Sequence, residues 1–326
     1  MFYCIIVLIM LGGIYRSLLV VSMCLLPKIV KANVLPLDDA LRATYTACVG
    51  IDDELSDLKK MAGINTAVTA VGTGLGAGAT VVGIVKANKD AKAEGIYETY
   101  KVDYLTSDQV TIPSQEEMDA LARAFLASEP ENEYVKLRDE SKKLGNWRTG
   151  LLAGSTATNV AGAIIAGNNK VDKDLEQQVK DCRTAINNLR ESIIRARVEG
   201  GNANDIAEAN AIVSACGGYE HVDLSPINKR GQGAMVSSII GATTGLAGTV
   251  TSAVANSENV RKDDAAKSGQ KTDADWQKEK NLNTASNVLS GATTVASAAA
   301  TIFNATQISA IKKVANVAEK CTEVLK

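Results

Sequence analysis

The sequence predicts an all-α fold made of two related, long antiparallel helical hairpins, each held by a disulfide. Three observations predict it: four long stretches without charge, a repeated order of motifs, and four cysteines that lie at similar distances from the predicted hairpin tips. The chain has 326 residues, of which 4% are aromatic and 26 are glycine. A core of this composition must consist of small and aliphatic side chains, which favours closely packed helices over a β-sandwich or an aromatic-lined pocket.

Residues 1–32 are predicted to be a signal peptide or, alternatively, an uncleaved N-terminal anchor. The segment before Arg16 carries no charge, and Val30 and Ala32 occupy the −3 and −1 positions of a signal-peptidase site. Translation from Met10 would give a signal peptide of ordinary length. Either form directs the remaining chain out of the cytoplasm. We therefore expect an exported protein, located in the cell envelope, the periplasm or a membrane, or secreted.

Four tracts of the chain contain no Asp, Glu, Lys or Arg: residues 61–85, 149–169, 231–257 and 281–311. They contain no proline either, and their apolar residues recur at alternating intervals of three and four. This spacing predicts a helix in each tract. Their lengths of 21 to 31 residues match the roughly 20 residues that cross a bilayer.

Two stripes at helical spacing offer packing faces on these helices. The aliphatic stripe is predicted to be a packed seam, made of Ile64, Val68, Val71, Leu75, Gly78, Val82 and Val85, then Val236, Ile240, Thr243, Ala247, Val250 and Val254, then Val288, Val295, Ile302 and Ser309. The small-residue stripe lets another helix backbone approach closely. Its predicted helix-packing glycines are Gly72, Gly76, Gly150, Gly154, Gly162, Gly241 and Gly245.

The order of segments predicts an internal repeat with a boundary after residue 200. Residues 46–51 resemble residues 214–219, and each of these segments precedes a charge-free tract. The first hairpin is predicted to span residues 33–200, with a tip insertion over residues 87–147. The second is predicted to span residues 201–326 and has a shorter, charged tip.

The cysteines outside the leader predict two disulfides. Cys48, Cys182, Cys216 and Cys321 lie 34 to 42 residues from the charged residue that ends each arm at the tip. Arms of nearly equal length bring the two cysteines of one hairpin together at its open end. We therefore predict the pairs Cys48–Cys182 and Cys216–Cys321, with the two cross-paired connectivities as alternatives.

Two functions fit the tracts. The first is a non-enzymatic, exported cell-envelope protein that inserts in or lies against a membrane and acts by helix packing and assembly, with Trp147 and Trp276 as interface anchors. The alternative is a soluble secreted or periplasmic helical module with an interaction or structural role, present as an oligomer. The Ser, Thr and Asn residues of the tracts would suit the solvent-exposed face of such a bundle. The expected partners are a membrane, a second copy or another helix.

The sequence predicts no catalytic, cofactor or metal site. His221 is the one histidine, so a metal site with several histidines is excluded. The Gly72-x-Gly74-x-x-Ala77 motif lies inside a predicted helix, whereas a dinucleotide-binding loop follows a strand. A net charge of −2 gives no basic surface for nucleic acid. We therefore expect neither a nucleic-acid partner nor a small-molecule substrate.

Overall fold

The computed structural model describes residues 34–107, 130–261 and 273–326, together with residues 116, 120, 121, 124 and 125. All regular secondary structure in this part of the chain is helical, as predicted. The predicted signal peptide, residues 1–32, lies outside the described residues.

Four long helices, each containing one charge-free tract, form an up-down-up-down bundle. The elements are α1 (Leu37–Cys48), α2 (Ile51–Ser107), α3 (Pro130–Asn168), α4 (Lys173–Glu199), α5 (Ala203–Cys216), a 3₁₀ turn (Gly217–His221), α6 (Ser225–Ala255), α7 (Glu258–Arg261) and α8 (Asp273–Leu325). Helix α2 contacts α3 and α8, and α6 contacts the same two helices. Each long helix therefore lies between two antiparallel neighbours, the usual geometry of such bundles.

One end of the bundle, which we call the base, carries the short helices and both disulfides. Helix α1 packs on α4, and α5 packs on α4 and α8. Cys48 is bonded to Cys182 and Cys216 to Cys321, which confirms the predicted pairs. The disulfides lie in an apolar core that includes Leu55, Leu175, Ile186, Leu189, Ile212, Ile227 and Ile311.

Local signals set the chain reversals in the base. Asp172 caps α4 by accepting a hydrogen bond from the backbone N–H of Leu175 at 2.8 Å. Helix α4 ends at Gly200, whose φ of 75° lies in the left-handed region that favours glycine. Gly50, with a φ of 94°, forms the tight turn between α1 and α2.

The opposite end, which we call the tip, comprises residues 86–107, 130–148, 256–261 and 273–280. Within the predicted tip insertion, residues 87–107 continue α2 as a helix and residues 130–147 form the first part of α3. Tyr97, Phe125 and Tyr134 are buried there in edge-to-face and tilted contacts, with the Phe125 ring centroid 5.4 Å from Tyr97 and 5.3 Å from Tyr134. These contacts close a small aromatic core beyond the main bundle.

The predicted aliphatic seam was wrong on α6 and α8, where its residues lie on the outside of the bundle. On α2 it is only partly inside, since Val68, Leu75, Gly78 and Val82 are partly buried and the other three residues are exposed. More than half of the side-chain surface of Val71, Val250, Val295 and Ile302 is exposed. The inward positions of α2 are instead Ala62, Asn65, Thr69, Gly72, Gly76, Ala79, Gly83 and Lys86. Small residues at these positions bring the helix backbones close together, and this separation leaves no room for branched aliphatic side chains between them.

Candidate functional site in the polar bundle interior

The interior of the bundle is polar along most of its length. The buried Asn, Ser and Thr side chains that face inward are Asn65, Thr69, Ser155, Asn159, Ser238, Ser252, Asn283, Ser286, Ser290, Thr293, Ser297 and Asn304. They recur every three or four residues on the small-residue face of each long helix. The side of each helix that carries the hydrogen-bonding groups is therefore the side that faces its neighbours.

Hydrogen bonds between helices connect these side chains near the base. Asn65 on α2 donates from Nδ2 to Asn304 Oδ1 on α8 at 3.0 Å. Thr301 Oγ1 donates to Thr69 Oγ1 at 3.0 Å, which joins the same two helices one turn farther along. Such pairs satisfy polar groups that burial would otherwise penalise.

Close approach of the helices depends on several of the predicted packing glycines. Gly72, Gly76, Gly162, Gly241 and Gly245 are buried, and a Cβ at any of them would collide with a polar side chain of a neighbouring helix. Gly154 lies against Leu75. Gly150 is exposed and has no neighbouring atom within 4 Å of an added Cβ, so it takes no part in packing within the bundle.

Arg148 occupies the interior at the boundary between the tracts and the tip. Its side chain is fully buried, and its Nε donates to Ser252 Oγ on α6 at 2.9 Å. Its terminal nitrogens donate to Asn287 Oδ1 at 2.8 Å and Asn283 Oδ1 at 3.0 Å on α8. A Cβ at Gly83 would collide with Asn287 and Arg148. Glycine on α2 therefore makes room for a guanidinium that binds three neutral acceptors on two helices.

An ion network lies immediately beyond Arg148, inside the tip. Lys86 Nζ is 2.6 Å from Asp90 Oδ2 and 3.7 Å from Glu279 Oε1. Arg138 binds both carboxylates, with Nη1 2.9 Å from Asp90 Oδ1 and Nη2 2.8 Å from Glu279 Oε2. Arg261 on α7 donates to the backbone carbonyl of Arg138. The network joins α2, α3, α7 and α8 with charges that are almost completely buried.

The electrostatics of the network keep Asp90 ionised. Burial raises the pKa of the Asp90 carboxyl, but Lys86, Arg138 and the hydrogen bond from Ser141 together hold that pKa below its usual range. The carboxylate is therefore charged at neutral pH and remains available to its two cationic partners.

The predicted interface anchors lie at the tip side of the tracts. Trp147 is 69% exposed, next to the buried Arg148. Trp276 belongs to the first turns of α8, but its side chain lies outside the described part of the structure. Trp147 therefore presents an exposed indole two residues before the second tract begins.

Among the described residues, no group of three or more His, Cys, Asp or Glu side chains is arranged to hold a metal ion. His221 is exposed at the end of the 3₁₀ turn in the base, far along the chain from the ion network.

Four helices are long and apolar enough to cross a membrane, judged by length and composition: Leu37–Asp103, Asn132–Glu199, Ser225–Ala255 and Gln277–Leu325. Between 28% and 33% of the most apolar window of each is buried inside the bundle. The rest of each window is partly or fully exposed, and its exposed aliphatic side chains form an apolar surface around the polar interior.

Comparisons with protein-family models, with curated proteins and with solved structures found no match. The geometry of the chain itself is therefore the basis for its proposed function.

Proposed function

We propose that this protein is a non-enzymatic integral membrane protein of the cell envelope, which crosses the bilayer four times and acts through helix packing and assembly. One observation carries the proposal: in all four tracts most buried side chains are small or polar, and the large aliphatic side chains are partly or fully exposed, with Leu152 and Ile311 as the buried exceptions. A bundle in water has the reverse arrangement. In lipid, an apolar exterior meets the acyl chains while polar groups pair inside.

The apolar exterior is too extensive for a surface in contact with water. Large aliphatic side chains exposed on the four tracts include Val71, Val81, Ile84, Val160, Ile164, Ile239, Ile240, Leu246, Val250, Val288, Val295 and Ile302. Burying one such side chain in an apolar environment contributes about 1.5–3 kcal/mol. Because they occur on every long helix, a bilayer covers them more completely than a single partner on one side.

The dimensions of the tracts fit a bilayer. At 1.5 Å per residue, tracts of 21 to 31 residues are about 30–45 Å long. The hydrocarbon core of a typical bilayer is about 30 Å thick. Trp147 at the tip end of the second tract suits the interface between hydrocarbon and headgroups.

The proposed orientation places the base on the oxidising side of the membrane. Both disulfides are in the base, and disulfides form and persist in oxidising compartments. Each of the four long helices runs between the base and the tip and would cross the bilayer once. The tip therefore lies on the opposite side of the membrane from the base. The predicted leader, which exports the segment that follows it, supports the same orientation.

We also propose that the two hairpins, α2–α3 and α6–α8, arose by duplication. The buried positions of α2 between Ala62 and Lys86 recur 169 residues later in α6. Those of α3 recur 138 residues later in α8, where Ser297 corresponds to Asn159. Assembly with a second copy or another membrane helix would use the outer faces of these hairpins.

A pair of arginine substitutions tests membrane insertion. Val295 is 71% exposed near the middle of the fourth tract, whereas Val198 is 83% exposed on α4 in the base. An arginine near the bilayer centre costs about 2.5–3.5 kcal/mol, so Val295→Arg should lower the fraction that resists carbonate extraction and floats with liposomes. Val198→Arg should leave both fractions unchanged.

The same experiment distinguishes the soluble alternative. A soluble bundle would release the wild-type protein into the carbonate supernatant without detergent, and both arginine variants would behave alike, because both sites are exposed to water. That result would overturn the membrane proposal.

A further inference from the structure

A pocket of about 290 Å³ lies on the outside of the bundle, between α2 and α8, at the tip end of the tracts. Alanine side chains of α2 line part of it. Its polar lining is Asn88, Asp90, Glu94, Glu279, Lys280, Asn283, Thr284 and Asn287. Two of these residues, Asp90 and Glu279, also belong to the buried ion network, so the pocket adjoins that network.

The pocket has two opposite charges that the ion network does not use. Asp90 is paired with Lys86 and Arg138. Within the described ranges, Glu94 on the α2 wall is partly buried and Lys280 on the α8 wall is exposed, and neither forms an ion pair. One carboxylate and one ammonium therefore remain for a ligand that carries both signs of charge.

The position of the pocket, if the bundle spans a bilayer as proposed above, is the headgroup layer. Val85 is the last residue of the first tract, and Glu94 lies nine residues beyond it, about 13 Å along the helix. On α8 the pocket reaches Asn287, inside the fourth tract. The exposed side chains of Ile84 and Val288 continue from the pocket toward the bilayer centre. A headgroup in the pocket would thus direct its acyl chains along these two helices.

We propose that this pocket binds the headgroup of a zwitterionic phospholipid with a primary ammonium, of the phosphatidylethanolamine type. The ammonium donates hydrogen bonds to Glu94 and to the amide oxygen of Asn88, while the phosphate lies near Lys280. The three N–H donors of a primary ammonium match these acceptors.

The lining discriminates against the two other common headgroups. A choline headgroup has no N–H donor and is recognised by aromatic faces, and the described side chains that line the pocket include no aromatic ring. An anionic glycerol headgroup offers no cation to Glu94 and would place its charge close to Asp90 and Glu94. Both differences favour the primary ammonium.

The test uses the purified full-length protein in nanodiscs made from equal amounts of phosphatidylethanolamine, phosphatidylcholine and phosphatidylglycerol. Lipids retained after extraction into mild detergent are counted by native mass spectrometry. We expect phosphatidylethanolamine to be enriched about threefold to fivefold, the factor typical of partly exposed charge pairs. Glu94→Gln and Lys280→Gln should each reduce this enrichment toward the bulk composition.

Two matched variants control for loss of surface charge. Glu98 lies one turn beyond Glu94 on α2, and Lys278 is exposed on α8. Neither residue lines the pocket. Glu98→Gln and Lys278→Gln should retain the enrichment. Equal retention of the three lipids by the wild type, or unchanged enrichment in Glu94→Gln and Lys280→Gln, would overturn the lipid site.

The outcome is distinguishable from failure of the membrane proposal. A protein that floats with liposomes but shows no lipid preference disproves the site and leaves the four-span proposal standing. A protein that does not float at all disproves both. Circular dichroism and gel filtration of every variant establish that the surface substitutions leave the bundle folded.

Discussion

Ser297 Oγ lies within hydrogen-bonding distance of both ends of the Asn159 amide, 2.8 Å from Nδ2 and 3.0 Å from Oδ1. The two residues belong to α8 and α3, which face each other across the bundle. A Cβ at Gly241 on α6 would collide with the same amide. One asparagine therefore joins two helices and fills the space that glycine leaves on a third.

We expect Asn159→Ala to destabilise the bundle by about 1–2 kcal/mol, the upper range for a hydrogen bond between helices in a membrane protein. Denaturant unfolding in mixed micelles, followed by far-ultraviolet circular dichroism, measures this change. Asn168→Ala is the control, because Asn168 is exposed at the end of the same helix. Equal effects of the two variants would show that the interior hydrogen bonds do not hold the bundle together.

Two glycines in one helix should respond in opposite directions to alanine. A Cβ at Gly76 would lie 2.8 Å from Thr294 Oγ1 and 3.3 Å from Thr294 Cα, whereas a Cβ at Gly74 has no neighbour within 4 Å. Gly76→Ala should destabilise the protein by about 1–3 kcal/mol through overpacking. Gly74→Ala should stabilise it by up to about 1 kcal/mol, because alanine has the higher helix propensity.

Thermal unfolding of both variants in the same detergent provides the comparison. A destabilising Gly74→Ala would indicate that another helix covers this outer face of α2. A neutral Gly76→Ala would show that α2 and α8 have room to separate there.

Periodicity and spacing predict the helices, the disulfides and an inward stripe of glycines that includes Gly72 and Gly241. The interval between apolar residues is a local property, so the tracts follow from the sequence. The error concerns the second stripe, because aliphatic residues such as Val288 and Val295 pack inside a water-soluble bundle and face outward here. In this fold the polar stripe that includes Ser290 and Ser297 faces inward.

The ion network was not predicted for a different reason. Asp90 and Arg138 are 48 residues apart, and Glu279 is 141 residues beyond Arg138. Only the pairing of α2, α3 and α8 brings them together. The one local feature of the sequence that pointed to the network was a charged residue at the tip end of a tract, as at Lys86 and Arg148.

Reduction of the disulfides should weaken the base more than the bundle. The bonds join residues 134 and 105 positions apart, and closing loops of that length contributes about 2–4 kcal/mol each. We expect the paired substitution Cys48→Ser and Cys182→Ser, or a reducing agent, to lower the unfolding temperature. The paired variant should respond to reductant only through Cys216–Cys321. An unchanged unfolding temperature in the wild type under reductant would contradict this.

The stability of the bundle should depend on the planar geometry of the Arg148 guanidinium as well as on its charge. Arg148→Ala leaves Ser252, Asn283 and Asn287 without their donor, so we expect a loss of about 3 kcal/mol. Arg148→Lys keeps the charge but loses the planar fork, and should recover only part of this. Arg195→Ala, at an exposed site in the base, is the control. Full recovery by lysine in denaturant unfolding would show that charge alone is required.

Acid should weaken the tip through Asp90. The pKa of Asp90 is lower in the folded protein than in the unfolded chain, because Lys86 and Arg138 outweigh the effect of burial. Its stabilisation is therefore fully present above the unfolded pKa of about 3.9 and is lost as the pH falls through the folded pKa. We expect Asp90→Asn to be less stable than the wild type at pH 7. As the pH falls below about 4 the difference between the two proteins should shrink, and it should vanish only below the folded pKa of Asp90, where the wild-type carboxylate is protonated too.

Denaturant unfolding at several pH values measures this difference, and Asp139→Asn is the control. Asp139 is adjacent to Arg138 in sequence, but its side chain is exposed, so its substitution should leave the pH dependence as in the wild type. If Asp90→Asn and the wild type differed by the same amount at pH 7 and below pH 4, the carboxylate would not stabilise the tip through its charge. The network would then hold the helices through the shape and hydrogen bonds of a neutral side chain.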